Sequence, residues 1–386
     1  MLRFLAIFLL LCAQLGVFGQ IAPQAKLANR QVFIQEVYRK VEGADLSDPK
    51  QVKHLLWATS AFKIQTPKVL ELIGKLVESF QELDAKNRYS LILNVGGSCY
   101  PSKVSLLLAM LKTEVDVKNR LALLYYLDKV EMVEDKLASS SEWGEVARAI
   151  RSRSYLNELA TTDVRIQLAY TLSLFPDCYH IVALVRSNRD IPAKLYLVES
   201  GKVDAEGPFQ YLARSATNAI PYLSNGNTPA GIFKVGQPSV SDNLFIGPTP
   251  TLETFLPFEV PISSWGLMGS EWNATAYEAL LHPSLRNNAM LWQSYYAGKL
   301  GRGEIIVHGS TIDPTFFVGT PYHPLTPSLG CLSALELWDL TSGKLRQSSQ
   351  LELINTVLRS TLKPGLLLVL QVDEQTYSSS FSELLR

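Results

Sequence analysis

Apolar residues recur at helical spacing through the first half of the chain and at shorter, strand-like spacing through the second. Val69, Leu72, Ile73, Leu76, Val77 and Phe80 fall on one face at 3.6-residue spacing. Thr66-Pro67 ahead of them predicts an N-cap with proline at the first helical position. Ser139 and Glu142 have capping-box spacing before a further helix. From about residue 30 to 176 this texture predicts helices almost throughout. A motif recurs within it: Asp84-Ala-Lys-Asn-Arg88 returns as Asp116-Val-Lys-Asn-Arg120 and, more loosely, as Asp163-Val-Arg165, and Asp48-Pro49-Lys50 resembles a further start. Each copy leads into an apolar helix, and the separations suit helical-pair repeats of HEAT type. Asp at a helix start is also ordinary capping, so a repeat array and a plain bundle both fit. Either reading makes 20–176 an all-α domain with a surface for a protein partner.

Around residue 177 Pro, Gly, Ser and Asn rise and the runs shorten. His180–Val185, Ala193–Val198, Gly231–Val235, Gly303–Val307 and Gly365–Val372 read as strands bounded by turn residues. Residues 177–373 are thus expected to form a mostly-β domain, with an aromatic-rich, partly helical insertion at about 262–297 that carries Trp265, Trp272, Trp292, Tyr295 and Tyr296. Residues 374–386 read as a polar tail.

Composition narrows the class. The chain has 386 residues and is 47% apolar, long enough for two substantial cores. Lys+Arg and Asp+Glu both number 36, with no basic stripe, which argues against nucleic acid as a partner. Arg3, the apolar run Phe4–Leu11 and the small residues before Gln20 read as a signal peptide over 1–19, too short to span a bilayer. The expected protein is exported, to the periplasm or cell envelope, without a transmembrane span. With Cys12 removed, Cys99, Cys178 and Cys331 remain, and an odd count leaves at least one free thiol. A Cys99–Cys178 bridge with Cys331 free and three buried thiols are both consistent.

The candidate chemistry lies in Val307-His308-Gly309-Ser310 and Ser328-Leu329-Gly330-Cys331. A thiol is a nucleophile only as thiolate, and an imidazole is the usual device for removing its proton. Gly330 lets backbone approach a substrate closely. Apolar residues at 332, 335 and 338 predict a short helix over Leu332–Leu340, whose dipole would lower the pKa of Cys331. No histidine has metal-ligand spacing with the cysteines, and neither metal nor cofactor is expected. His180 and His282 read as structural or surface residues.

Three segments in order resemble the L,D-transpeptidase (YkuD-type) family of peptidoglycan cross-linking enzymes. They are Asn227-Thr-Pro-Ala-Gly-Ile-Phe-Lys-Val235, Ile306-Val-His-Gly-Ser310 and Ser328-Leu-Gly-Cys-Leu332, and the likeness covers about 178–373. The resemblance implies Cys331 as nucleophile and His308 as base, supported by Gly309, Ser310, Ser328 and Gly330, with backbone N–H groups of the Ser328–Cys331 turn facing the oxyanion. It implies attack on the third residue of a stem tetrapeptide, loss of the terminal D-alanine, and transfer of the thioester to an amine of another stem. The chain departs from the family at Leu329, where histidine is common, and at Ser333, where Arg or Asn is usual; His323 is a candidate auxiliary imidazole. Two further functions fit these departures: an L,D-carboxypeptidase or related cell-wall peptide hydrolase on the same site, and a non-catalytic envelope scaffold with a degenerate domain.

Overall fold

The computed structural model of the chain describes residues 24–97, 103–127, 144–204, 207–339 and 341–385. The expected signal peptide, the Ser139–Glu142 capping box and Cys99 lie outside these residues. The fold has mixed α and β content and includes an eight-stranded β-barrel. Among the described residues no helix is long and apolar enough to cross a membrane.

Among the described residues, eight helices precede the first strand: α1 Gln24–Glu42, α2 Pro49–Phe62, α3 Pro67–Glu78, α4 Ala85–Gly97, α5 Lys103–Thr113, α6 Val117–Leu127, α7 Gly144–Ser152 and α8 Thr161–Leu174. Their starts follow local chemistry. The Thr66 side chain accepts the Val69 N–H ahead of α3, and Asp48 accepts the Lys50 N–H ahead of α2. Val69, Leu72, Ile73 and Leu76 of α3 are buried as the periodicity predicts. The recurring motif is a packing device. Asp84 and Asp116 accept the N–H groups of Asn87 and Asn119 within their own copies. The Asn87 amide reaches back to the Pro49 carbonyl at 3.3 Å, and Asn119 reaches the Ala85 carbonyl at 3.1 Å. Each buried Asn thus binds the first residue of a helix that opens an earlier copy. The loosest copy does not share this arrangement: Asp163 sits inside α8, and Val164 and Leu168 of that helix pack into the barrel core.

The strands are β1 Cys178–Val185, β2 Ala193–Glu199, β3 Lys202–Val203, β4 Phe209–Leu212, β5 Gly231–Ser239, β6 Thr251–Phe255, β7 Val307–His308, β8 Leu332–Ala334, β9 Glu336–Trp338, β10 Leu345–Ser348 and β11 Lys363–Gln371. Hydrogen bonding runs β1-β11-β5-β6-β7-β8-β4-β2, and β2 pairs back onto β1, which closes the barrel; β3 extends from β2. Pairing is antiparallel except for β1–β11 and β7–β8. β9 and β10 form a separate hairpin.

The remaining helices are α9 Ala274–Glu278, α10 Gln293–Lys299, α11 Ser349–Arg359, α12 Glu374–Ser378 and α13 Phe381–Leu384. Trp265, Tyr277, Trp292 and Tyr295 of the aromatic insertion belong to the barrel's apolar core. Two expectations are corrected. The stretch after Cys331 forms β8 and β9 instead of a helix, because its apolar residues are taken up by pairing with β7, β4 and β10. The last residues are no loose tail: Phe381 stacks on Tyr196 at 4.1 Å and, with Leu384, is buried.

Candidate functional site

The two-residue strand β7 places the imidazole on the groove that the sulfur also lines. It runs parallel to β8 with Val307 opposite Leu332 and His308 opposite Ser333. The Leu332 N–H donates to the Ile306 carbonyl at 3.1 Å, and the Ile306 N–H points at the Cys331 Sγ at 3.5 Å. Ser333, opposite His308 on the neighbouring strand, shares its face, and Cys331 comes just before β8. All three line one open groove of about 610 Å³. Its other walls include Trp57 and Phe62 of α2, Phe245, Ser310, Ser328 and the exposed Leu329.

The protonation of the pair follows from its contacts. His308 Nδ1 lies 2.6 Å from the Gly309 carbonyl, which can only accept, so Nδ1 carries the proton and Nε2 presents its lone pair. Burial holds the His308 pKa below the ordinary histidine value, against the Gly309 bond that raises it. Cys331 makes no hydrogen bond to His308 and instead donates its S–H to the Glu304 carbonyl at 3.6 Å. Burial pushes its thiol pKa up, the Ile306 N–H and the Arg302 guanidinium pull it back, and Glu304 adds to the rise. The resting pair is therefore a neutral thiol and a neutral imidazole.

The turn before Cys331 is fixed from three sides. The Ser328 hydroxyl accepts the Gly330 N–H at 3.0 Å and donates to the Cys331 carbonyl at 2.8 Å. The buried Thr228 hydroxyl donates to the Gly330 carbonyl at 3.0 Å. Gly330 has φ +123°, and a Cβ there would overlap Arg302 Nη2 and lie 2.6 Å from the Gly226 carbonyl. Glycine is thus required both by its conformation and by the absence of space. Ser328 occupies the Gly330 N–H and so withdraws it from an oxyanion, whereas the Cys331 N–H lies on the nucleophile's own residue.

The segment linking β4 to β5 carries Thr228 and is held by the helices. Tyr89 of α4 donates to the Ser224 carbonyl at 2.7 Å, Lys118 of α6 to the Ser224 hydroxyl at 2.8 Å, and Tyr125 of α6 to the Asn218 carbonyl at 2.9 Å. Ile220, Tyr222 and Leu223 of the segment are buried in the helical core. Its carbonyls at Pro221, Gly226 and Asn227 in turn receive the Arg302 guanidinium.

Two carboxylates, half-buried Glu259 and buried Glu336, shape the rest. Glu259 accepts the Leu256 N–H at 2.5 Å and the Glu304 N–H at 2.8 Å. This holds Glu304 at φ +57°, a strained value for a non-glycine residue, with its carbonyl on the thiol. Glu336 lies behind the histidine: its carboxylate takes the Ser348 hydroxyl at 2.6 Å, and a Cβ on Gly309 would collide with it. Burial raises its pKa to about 7, opposed by Ser348, Thr249, the Ser310 amide and Trp338.

Of the residues expected from sequence, Cys331, His308, Ser310 and Ser328 meet in the groove, with Gly309 and Gly330 as backbone close behind. His323 is exposed on a turn outside the groove, so the auxiliary imidazole is withdrawn. Cys331 precedes a strand, which removes the expected helix dipole. His180 is buried, with Nδ1 accepting the Leu366 N–H at 3.2 Å, and His282 accepts the Ser284 N–H at its own short helix start. Cys178 is a free thiol. Arg302, Glu304 and Glu336 were not singled out from the sequence. The only local signal was a charged residue between two glycines, Gly301-Arg302-Gly303. No protein-family model matches the chain, and comparison with curated proteins and solved structures likewise gives no match.

Proposed function

We propose that the chain is an exported cysteine-dependent acyl transferase of the L,D-transpeptidase type, acting on peptidoglycan stem peptides. The observation that carries this reading is that the second and third resembling segments line one groove while the first packs behind the third. Thr228 of the first bonds the Gly330 carbonyl of the third, and His308 of the second shares a wall with Cys331. A Cys–His pair over a water-accessible cleft is suited to acyl transfer through a thioester.

In the proposed reaction the Cys331 proton passes to His308 Nε2 as the sulfur attacks the substrate carbonyl. The Cys331 N–H donates to the oxygen that becomes negative. Collapse breaks the amide bond, and the imidazolium returns its proton to the leaving amine. An acceptor amine then attacks the thioester, loses its proton to His308, and regenerates the thiol. Incubation with purified muropeptides tests the assignment. Cross-linked dimers support transfer, shortened stems alone assign water as the acceptor, and unchanged stems leave a non-catalytic envelope scaffold.

A further inference from the structure

Arg302 is 4% exposed and has no carboxylate partner among the described residues. Its guanidinium is held by three main-chain carbonyls, those of Asn227 at 2.8 Å, Gly226 at 2.6 Å and Pro221. Carbonyls satisfy its donors but not its charge, and a buried charge without a counter-charge is costly. Burial lowers its pKa only to about 10, so it remains a cation at neutral pH. It lies against the turn that carries the sulfur, in the space a Gly330 side chain would fill, and it lines the same groove. The titratable groups around it are Cys331, Tyr89 and Lys118, and Glu304 and His308 line the same groove. Burial holds Tyr89 neutral, and the Lys118 amine, which donates to the Ser224 hydroxyl, bears no negative charge in either of its forms. Among the described residues, Cys331 is thus the one group beside Arg302 that turns negative during the proposed reaction.

We propose that Arg302 is a positioning cation that supplies the counter-charge for the Cys331 thiolate. This rests on the proposed acyl-transfer reading. When the S–H proton moves to His308 Nε2, the sulfur becomes an anion beside a guanidinium that stays protonated throughout. The same guanidinium gathers the carbonyls of the segment that the helices grip. It therefore joins the helical side of the molecule to the ionisation of the nucleophile. It also provides a cation from another part of the chain where Ser333 provides none.

The test is the pH dependence of iodoacetamide alkylation at Cys331, followed by peptide mass mapping so that the other cysteines do not interfere. Arg302→Met is expected to move the midpoint up by about one pH unit and to slow alkylation at pH 7.5 about tenfold. Arg302→Lys should hold the wild-type midpoint. An unchanged midpoint in Arg302→Met, or an equal shift in both variants, overturns the proposal and leaves Arg302 as a structural tie. A second comparison leaves Arg302 intact and covers the case in which Arg302→Met does not fold. Cys331→Asp is expected to melt no lower than Cys331→Asn at pH 8, because the carboxylate meets the same counter-charge. Melting several degrees below Cys331→Asn overturns the proposal. Normal alkylation of wild-type Cys331 without any reaction on stem peptides would instead remove the acyl-transfer reading and leave the role of Arg302 standing.

Discussion

Arg302 and Gly330 compete for one volume: a methyl group on residue 330 would overlap the guanidinium, on a backbone already at φ +123°. Gly330→Ala is therefore expected to cost roughly 3 kcal/mol through combined strain and overpacking. Gly201 has φ +72° with nothing within 4 Å of the position a methyl would take, so Gly201→Ala isolates backbone strain and should cost about 1 kcal/mol. Urea unfolding of both variants decides the point. Equal losses would mean that the Arg302 contact yields without cost.

The pH dependence of the reaction follows from two opposed shifts. Burial holds His308 below its ordinary value of about 6.5 and raises Cys331 above its ordinary value of about 8.5. The neutral pair should thus persist across a wide plateau in kcat/KM, with the acid limb below about pH 6.5 and the alkaline limb above about 8.5. Rapid iodoacetamide alkylation of Cys331 at pH 5–6 would show a resting thiolate–imidazolium pair and contradict this picture.

Glu336 links stability to pH. Its folded pKa of about 7 lies above the unfolded carboxylate value, so the buried acid is favoured while protonated. That contribution is complete below about pH 4.3, declines as pH rises, and is gone above about pH 7. Glu336→Gln keeps a neutral side chain at every pH. Relative to this variant, the wild type should lose roughly 3 kcal/mol between pH 4 and pH 8. Parallel stability curves for the two proteins would place the Glu336 proton elsewhere.

Two of the ties from the helices to the segment beside the site are single tyrosine hydroxyl groups. Tyr89→Phe and Tyr125→Phe each remove one donor to the segment that cages Arg302, at a cost of about 1 kcal/mol apiece. The double variant should keep its helical circular dichroism while alkylation of Cys331 slows several-fold. Wild-type alkylation kinetics in that variant would show that the segment holds its shape without the helices.

Much of this was legible from residues alone, and the failures have physical causes. The 3.6-residue periodicity and the Thr66 cap announced α3, and the long apolar runs announced β1, β2, β5 and β11, because those elements carry their signal locally. Closure of the barrel was not legible, since β1 pairs with β2 and β11 at very different sequence distances. β7 is two residues long and β8 three, too short for any periodicity to register. Residues 332, 335 and 338 matched helical spacing by coincidence, and pairing with β7 and β4 overrode it. His308 and Cys331 could be named from their glycine neighbours. Arg302 could not, because its role depends on carbonyls some eighty residues earlier in the chain.

The most direct measurement of the central claim is intact-protein mass spectrometry during incubation with a stem tetrapeptide. The account predicts an acyl adduct on Cys331, equal in mass to the peptide without its terminal residue. That adduct should be absent in Cys331→Ala and form at least about a hundredfold more slowly in His308→Gln. A wild-type protein that alkylates normally at Cys331 yet never acquires the adduct, or an adduct that survives Cys331→Ala, would contradict it.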